Sequence, residues 1–225
     1  KKSLSETVGV YTGASSNPQV KYGVGKGSAL IIVDVQNDFC PGGILAVPKG
    51  DEIIPILNEY IARFREAGAL IFATRDWHPS NHMSFNTRGG PWPPHCIRAS
   101  KGAAFHNDLK LPSEAIIISK ARNPDTEAYS GFRGTRLSEI LKHKGVETVF
   151  VGGLATDYCV KSTILDALKD GLHAFLLVDA IRAVELKPDS SERAIEEIVA
   201  KGARLAYLSQ IVPTGKIKRK KTDED

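Results

Sequence analysis

Short apolar runs alternate with amphipathic stretches along most of this chain. Six runs are continuous and mostly rich in β-branched residues, a pattern typical of strands buried on both faces of a sheet. They span residues 29–33, 69–74, 115–119, 148–151, 174–178 and 204–208. Helical spacing predicts helices over residues 51–67, 136–144, 158–170 and 191–201, each followed by a glycine, as at a helix C-cap. This βαβ rhythm predicts an α/β fold, a three-layer α/β/α sandwich around a mostly parallel sheet of about six strands.

The two ends of the chain lack this regular pattern. Residues 1–27 are rich in Gly, Ser, Asn and Lys, and we expect an N-terminal extension that packs loosely or serves a neighbouring subunit. Residues 28–211 then form one folded domain, and residues 212–225 a basic, disordered tail. Five of the six residues in 216–221 are Lys or Arg. A solvated end is favoured over the alternative, a nuclear-import signal.

Composition and charge argue against several classes of protein. The 225 residues are 42% hydrophobic and 25% charged, as in an ordinary globular domain. The formal net charge is +4, and much of it lies in the tail, so the body predicts no nucleic-acid-binding surface. No apolar stretch approaches the roughly 20 residues that cross a bilayer, which predicts no membrane partner. Three widely spaced cysteines without a C-x-x-C pair indicate a reducing compartment, so we expect a cytoplasmic protein, or a nuclear one if the tail is an import signal.

The sequence GGLATDYC, residues 152–159, carries a cysteine where a strand gives way to a helix. Residues 148–151 have strand character and residues 158–170 are amphipathic, so Cys159 is expected in the first turn of the helix. The unpaired N–H groups and the positive dipole end of a helix stabilise a thiolate and can hold an oxyanion, so we expect a lowered pKa for Cys159. The sequence therefore predicts a nucleophile for a carbonyl carbon. The alternative is a buried cysteine that only fills space.

Ionisable residues end three of the other predicted strands. Asp34 ends the first run, Asp76 the second and Lys120 the third. In open α/β sheets, ligands bind beyond the carboxyl ends of the strands, and an unpaired charge there would cost several kcal/mol. Asp34 and Lys120 could form a purely structural ion pair. With Cys159 at the same sheet edge, a catalytic group of Asp34, Lys120 and Cys159 is the favoured interpretation.

A second polar cluster predicts a metal site. Asp76 and His78 form an Asp-x-His pair, and His95 lies in a Pro-Pro-His-Cys segment. One carboxylate and two imidazoles suit Zn²⁺, Fe²⁺ or Mn²⁺ with positions left open for water or substrate. His82 is an alternative fourth ligand, for which a packing role in the loop is favoured.

These residues resemble a known family. The segments ALIIVDVQNDFCPGGILAV, ATRDWHPSNHMSF, GGPWPPHC, AAFHNDL, SKARNPDTEAYSGF and GGLATDYCVKSTILDA occur in order. They resemble the nicotinamidases (pyrazinamidases) of the isochorismatase-like cysteine hydrolase superfamily, whose sheet has a Rossmann-like topology. Residues 28–211 are thus expected to form an isochorismatase-like hydrolase domain. The RDWHP and PPHC segments best distinguish nicotinamidases from the rest of the superfamily, because isochorismatases lack that set of metal ligands.

The resemblance implies a role for each matching residue. It implies the catalytic set Asp34, Lys120 and Cys159, and the metal ligands Asp76, His78 and His95. It also implies a cis peptide between Leu154 and Ala155, and an oxyanion hole formed by the N–H groups of Ala155 and Cys159. The substrate ring would lie between Phe39 and Trp92, with Tyr129 and Leu154 at the pocket.

The implied reaction is hydrolysis of nicotinamide to nicotinate and ammonia through a Cys159 thioester, with pyrazinamide as a second substrate and NAD salvage as the setting. One divalent metal ion is implied, with Zn²⁺ favoured over Fe²⁺ and Mn²⁺, and a homo-oligomer is expected. The nearest alternative is a related cysteine amidohydrolase acting on a carbamoyl or ureido substrate. A non-enzymatic metal-binding protein and a thiol redox protein are more distant alternatives.

Overall fold

Eight β-strands and four α-helices are present among the described residues, 19–214, of the computed structural model. The strands are β1 (Tyr22–Val24), β2 (Ser28–Val33), β3 (Leu70–Asp76), β4 (Ile116–Lys120), β5 (Thr148–Leu154), β6 (His173–Arg182), β7 (Arg204–Ala206) and β8 (Ile211–Pro213). The helices are α1 (Ile54–Glu66), α2 (Leu137–His143), α3 (Lys161–Lys169) and α4 (Ser190–Ala200). All six predicted strands and all four predicted helices are present, with their ends shifted by a few residues.

The central sheet contains six strands in the order β4–β3–β2–β5–β6–β7. Every neighbouring pair in this sheet is parallel. All six residues of β2, near the middle of the sheet, are buried, which explains why its sequence is continuously apolar. The mostly parallel sheet of about six strands is confirmed.

Helices cover both faces of this sheet. Leu30 and Ile32 of β2 belong to a hydrophobic cluster that includes the buried face of α1. The alternate residues Ala29, Ile31 and Val33 belong to a second cluster, which includes buried residues of α2, α3 and α4. Successive side chains of a strand point to opposite faces, so α1 lies on one face and the other three helices on the other. The predicted three-layer sandwich is confirmed.

The helix ends follow the glycine signals, whereas two helix starts differ from the prediction. Each helix is followed by a glycine with positive φ, from +65° at Gly68 to +104° at Gly202, as expected for a left-handed C-cap. The predicted start of α1 is a 3₁₀ turn, Gly50–Ile53. The predicted start of α3 is a π-helical turn, Thr156–Val160, which contains Cys159.

A small second sheet joins the two ends of the described chain. β1 pairs with β8 in parallel, with Tyr22 opposite Ile211, and Val24 is fully buried. This part of the predicted N-terminal extension is therefore packed against the core. The predicted tail, residues 212–225, begins later than expected, because Val212 and Pro213 belong to β8. Residues 1–18 and 215–225, including the basic run 216–221, lie outside the described residues, so the predictions made for them remain predictions. Among residues 19–214, no helix has the length and apolar character needed to cross a membrane.

Candidate active site and metal centre

Four predicted site residues meet at one edge of the central sheet. Asp34 follows β2, Asp76 ends β3, Lys120 ends β4, and Cys159 lies in the π-helical turn just after β5. These four strands are parallel neighbours in the order β4–β3–β2–β5, so their carboxyl ends lie side by side. This edge is where open α/β sheets bind ligands.

Lys120 lies at the centre of this group. Its Nζ atom is 2.8 Å from Asp34 Oδ2 and 2.5 Å from Asp76 Oδ1. The same ammonium group donates to Cys159 Sγ at 3.5 Å, and the hydroxyl of Thr74 donates to Asp34 Oδ1 at 2.7 Å. The side chains of Lys120 and Asp34 are completely buried. Asp34, Lys120 and Cys159 are therefore in mutual reach, as their predicted roles require.

Burial and the neighbouring charges set the protonation of these groups. Burial raises the pKa of Asp34, and the positive charge of Lys120 only partly opposes this effect. Burial alone would lower the pKa of Lys120, but the carboxylates of Asp34 and Asp76 hold it well above its ordinary value. Lys120 therefore holds its proton more strongly than an ordinary lysine. Asp34 has an increased affinity for a proton.

The pKa of Cys159 differs from the sequence prediction. Burial raises this pKa well above the ordinary thiol value, the Lys120 ammonium group opposes the increase, and Asp34 and Asp76 add to it. The prediction of a lowered pKa is wrong, because Cys159 is the fourth residue of a buried turn and is only 6% exposed. Loss of water around the sulfur outweighs the helix N-terminus. The resting group is therefore a thiol.

The three predicted metal ligands form a buried cluster. One ligand atom from each of Asp76, His78 and His95 lies within 4.8 Å of the other two. The Nδ1 atom of His78 is 3.0 Å from the carbonyl oxygen of His95, and that of His95 is 2.8 Å from the carbonyl oxygen of Pro93. A carbonyl oxygen can only accept, so both Nδ1 atoms carry hydrogen and both Nε2 lone pairs remain for a metal ion. The donor set therefore fits a divalent metal ion.

The protonation of His78 and the backbone pairing of its loop both prepare the site for a metal ion. Burial lowers the pKa of His78 to about 4, with the nearby Asp76 opposing the decrease, so its imidazole is neutral near pH 7, as a metal ligand must be. The N–H of His78 donates to the carbonyl of Cys96 at 3.0 Å, and the N–H of Arg98 donates to the carbonyl of His78 at 2.9 Å. This short ladder joins the loop after β3 to the loop that carries His95.

His82 is engaged in other contacts. Its Nδ1 atom is 2.7 Å from the hydroxyl of Ser84, and its Nε2 atom is 3.2 Å from the carbonyl oxygen of Thr126. Nε2 therefore carries the hydrogen, and Nδ1 accepts from Ser84. Both ring nitrogens are in use, which supports the packing role favoured for His82 over the role of a fourth ligand.

A cavity connects the thiol to the metal ligands. The space between the lining residues, including open solvent at the mouth, is about 460 Å³. The lining includes Cys159 and Ala155, the three metal ligands, and all four predicted substrate-binding residues, namely Phe39, Trp92, Tyr129 and Leu154. The indole N–H of Trp92 donates to the hydroxyl of Tyr129 at 3.1 Å. The peptide between Leu154 and Ala155 is cis, as the resemblance implied.

Two polar side chains that the sequence analysis left without a role, one buried and one half-buried, hold this site together. Gln36 is fully buried; its amide oxygen accepts from the N–H of Asp76 at 2.8 Å, and its amide nitrogen donates to the carbonyls of Asp76 and Ala103 at 2.9 Å. Asp38 accepts from the N–H of Cys96 at 2.7 Å, next to His95. Both residues lie in the VDVQNDF segment. Their position just after an apolar run is the feature of the sequence that could have identified them as site residues.

Three residues at the site have an unfavourable backbone conformation. Asp34, Cys96 and Ala121 have φ angles of +50°, +45° and +52°, in the left-handed region that residues with a side chain rarely adopt. One of them is a catalytic candidate, and the other two follow His95 and Lys120. Such conformations persist only where the surrounding contacts impose them, and they cluster at functional sites.

Comparisons with known proteins agree with this geometry. The family model described as isochorismatase domain matches residues 28–210. The nicotinamidase/pyrazinamidase of Mycobacterium tuberculosis is 40% identical over 189 residues, which cover 80% of this chain and 99% of that protein. The crystal structure of Pyrococcus horikoshii pyrazinamidase in complex with zinc is 55% identical, with a TM-score of 0.78 and coverage of 80% and 99%. PnC1 from L. infantum, solved in complex with nicotinate, is 36% identical, with a TM-score of 0.80 and coverage of 86% and 99%. The family match spans well over half of the sequence and the predicted isochorismatase-like fold is confirmed, so this chain belongs to the isochorismatase domain family.

Proposed function

We propose that this chain is a metal-dependent nicotinamidase, which hydrolyses nicotinamide to nicotinate and ammonia and also hydrolyses pyrazinamide. The observation that carries the proposal is one cavity lined by both the Cys159 thiol and the Asp76, His78 and His95 cluster. A nucleophile for acyl transfer and a set of metal ligands lie in the same small pocket. Such a pocket suits a substrate with a carboxamide attached to a ring that contains a basic nitrogen. Nicotinate feeds pyridine nucleotide synthesis, so the reaction belongs to NAD salvage.

Acylation uses Cys159 and Asp34. The buried thiol gives its proton to Asp34 as the sulfur attacks the carboxamide carbon, which produces a tetrahedral oxyanion. The raised pKa of Asp34, caused by its burial, suits a group that must accept this proton and then release it. Asp34 passes the proton to the amide nitrogen, the C–N bond breaks, ammonia leaves, and a thioester remains on Cys159.

Lys120 and two backbone N–H groups control the charge in this step. The Lys120 ammonium group contacts both Asp34 and Cys159 Sγ, so it favours the thiolate that forms when the proton moves. The N–H groups of Ala155 and Cys159 would stabilise the oxyanion, a contribution typically worth about 3 kcal/mol for each donor. A water molecule then attacks the thioester, with Asp34 accepting its proton, and nicotinate is released from the regenerated thiol.

The metal ion is proposed to be Zn²⁺, held by Asp76, His78 and His95. When bound, it supplies a Lewis acid for the ring nitrogen of the substrate or for a water molecule. Phe39 and Trp92 provide aromatic surface for the ring, and Tyr129 fixes the indole of Trp92 through its hydroxyl. This arrangement makes the ring nitrogen a determinant of specificity.

The proposal is tested by ammonia release from nicotinamide, with the wild-type protein and the Cys159→Ala variant, both loaded with zinc. We expect turnover by the wild type, no turnover by Cys159→Ala, and hydrolysis of pyrazinamide. Benzamide has the same carboxamide but no ring nitrogen, so it serves as the control substrate and should react much more slowly. Elemental analysis of the purified protein identifies the metal.

Two outcomes would count against the proposal. Comparable rates with benzamide and nicotinamide would remove the role of the ring nitrogen. No ammonia release by the zinc-loaded wild type would favour the alternative substrate class, carbamoyl or ureido compounds, which can be assayed with the same ammonia readout.

A further inference from the structure

Asp157, two residues before the Cys159 nucleophile, is bonded to a different part of the pocket. Its carboxylate is largely buried. Oδ1 accepts from the N–H of Val184 at 3.0 Å, and Oδ2 accepts from the N–H of Glu185 at 3.1 Å and from the hydroxyl of Ser190 at 2.7 Å. All three donors belong to one connection, residues 183–190, which runs from the end of β6 to the first residue of α4.

This connection, here called the β6–α4 segment, forms part of the cavity wall. Val184 lines the same cavity as Cys159 and Tyr158. The segment also contains two residues with left-handed backbones, Glu185 and Asp189, with φ of +57° and +61°, and Leu186 is 63% exposed. A stretch with an exposed apolar side chain and unfavourable backbone angles needs external contacts to keep one conformation. The Asp157 carboxylate provides them.

We propose that Asp157 is a positioning residue that ties the β6–α4 segment to the nucleophile turn, the π-helical turn Thr156–Val160 that contains Cys159, and thereby fixes Val184 as a limit on the size of ring substituents. The proposal rests on the function proposed above. A carboxylate offers acceptor sites only, and all three of its partners here are donors. Because Asp157 and Cys159 lie in the same π-helical turn, the distance between Val184 and the reacting sulfur depends on these bonds.

The Asp157→Asn substitution tests this role at nearly constant volume. The amide keeps one acceptor oxygen but turns an NH₂ group toward a donor, so at least one of the three bonds is lost. The matched control is Glu185→Gln, in the same segment. The Glu185 carboxylate accepts from the N–H of Ser191 at the start of α4 and its side chain has no bond to the nucleophile turn among those described.

Kinetics with nicotinamide and with ring-methylated nicotinamides provide the selective readout. For Asp157→Asn we expect KM for nicotinamide to rise by about tenfold with kcat changed less than about threefold. The ratio of kcat/KM for the best methylated substrate to kcat/KM for nicotinamide should rise by about tenfold. This is the discrimination that one methyl group typically provides in an apolar pocket. Glu185→Gln should keep the wild-type ratio. Val184→Ala should raise the same ratio, and in the double variant the two effects should be less than additive.

A purely structural role predicts a different result. It would lower the melting temperature and the active fraction without changing the ratio between substrates, and that outcome overturns the proposal. If Asp157→Asn does not fold, an unchanged ratio in Val184→Ala overturns it instead. Amide hydrogen exchange gives a readout that does not need turnover, since the N–H groups of Val184 and Glu185 should exchange faster in Asp157→Asn than in the wild type. Failure of the wild type to hydrolyse nicotinamide would refute the proposed function, whereas wild-type turnover with unchanged exchange and selectivity refutes only this inference.

Discussion

The Gln36→Leu substitution is expected to destabilise the protein and weaken its metal site at the same time. The register of β2 with β3 ends at Val33 opposite Thr74, so β3 continues beyond its neighbour to Asp76. At that point the Gln36 amide takes the place of a missing strand and pairs with both the N–H and the carbonyl of Asp76. A third bond joins it to the carbonyl of Ala103. Leucine has a similar size and makes none of these bonds.

The magnitude follows from the three backbone groups left without a partner. Each unsatisfied buried group costs about 1–3 kcal/mol, and Gln36 is 0% exposed. Partial relaxation and the apolar leucine side chain offset some of this cost, so we expect the free energy of unfolding to fall by about 3–5 kcal/mol. Because Asp76 loses the support that orients it, the affinity for the metal ion should fall by about 10–100-fold, the usual effect of removing a partner that orients a ligand.

The assays are denaturant unfolding of the metal-free protein and competition for zinc against a chromophoric chelator. Asn37→Ala is the matched control, since it removes a neighbouring amide that donates to the carbonyl of Lys101 at 2.8 Å in an exposed position. This control should cost less than about 1 kcal/mol and leave metal affinity unchanged. A free energy of unfolding for Gln36→Leu within about 1 kcal/mol of the wild-type value, together with unchanged zinc affinity, would refute this prediction.

Three further predictions concern the charges, the backbone and the metal. Lys120→Met removes the cation shared by Asp34 and Asp76, so the free energy of unfolding should fall by about 3–5 kcal/mol. A denaturation curve of the variant identical to that of the wild type would contradict this prediction. Gly153→Ala places a Cβ against the backbone of Val33 at a φ of +123°, and a loss of at least about 2 kcal/mol is expected by thermal unfolding. An unchanged melting temperature would show that β5 and β2 can move apart. Chelation of the metal should lower the melting temperature, and added zinc should restore it, because the ion binds the folded state; no shift would argue against the site.

Much of the architecture is predictable because it depends on local signals. Most strands of the central sheet are buried apolar runs, although the edge strand β4 is partly exposed. Each helix is followed by a glycine, the residue that adopts the left-handed C-cap at least cost. Once the strands are taken as parallel neighbours, the polar residues at their carboxyl ends must meet at one edge. Asp34, Asp76 and Lys120 were therefore predictable as a group from position alone.

Other features depend on contacts between distant segments, which carry no local pattern. β1 and β8 have three residues each, too few for periodicity to identify them. The raised pKa of Cys159 results from burial by surrounding elements, whereas the sequence displays only the helix start. The hydrogen bonds of Gln36 and Asp157 are equally unpredictable from the sequence, because each bond joins its residue to a segment at least 27 residues away.

The strand order explains why the candidate catalytic and metal-binding groups share one cation. Lys120 ends β4, and Asp34 follows β2, with β3 between them, a separation of roughly 10 Å at two strand spacings. Only a long side chain can cover that distance, and its path passes Asp76, which is directly opposite Lys120 in the register of β3 and β4. Burial raises the pKa of Asp76, but the charge of Lys120, with His78 and His95, outweighs this and lowers it overall. The two carboxylates thus compete for the same ammonium group, one beside the thiol and one beside the imidazoles. Substitutions at Asp34 and Asp76 therefore act on a single coupled unit, and their effects are not the sum of two independent sites.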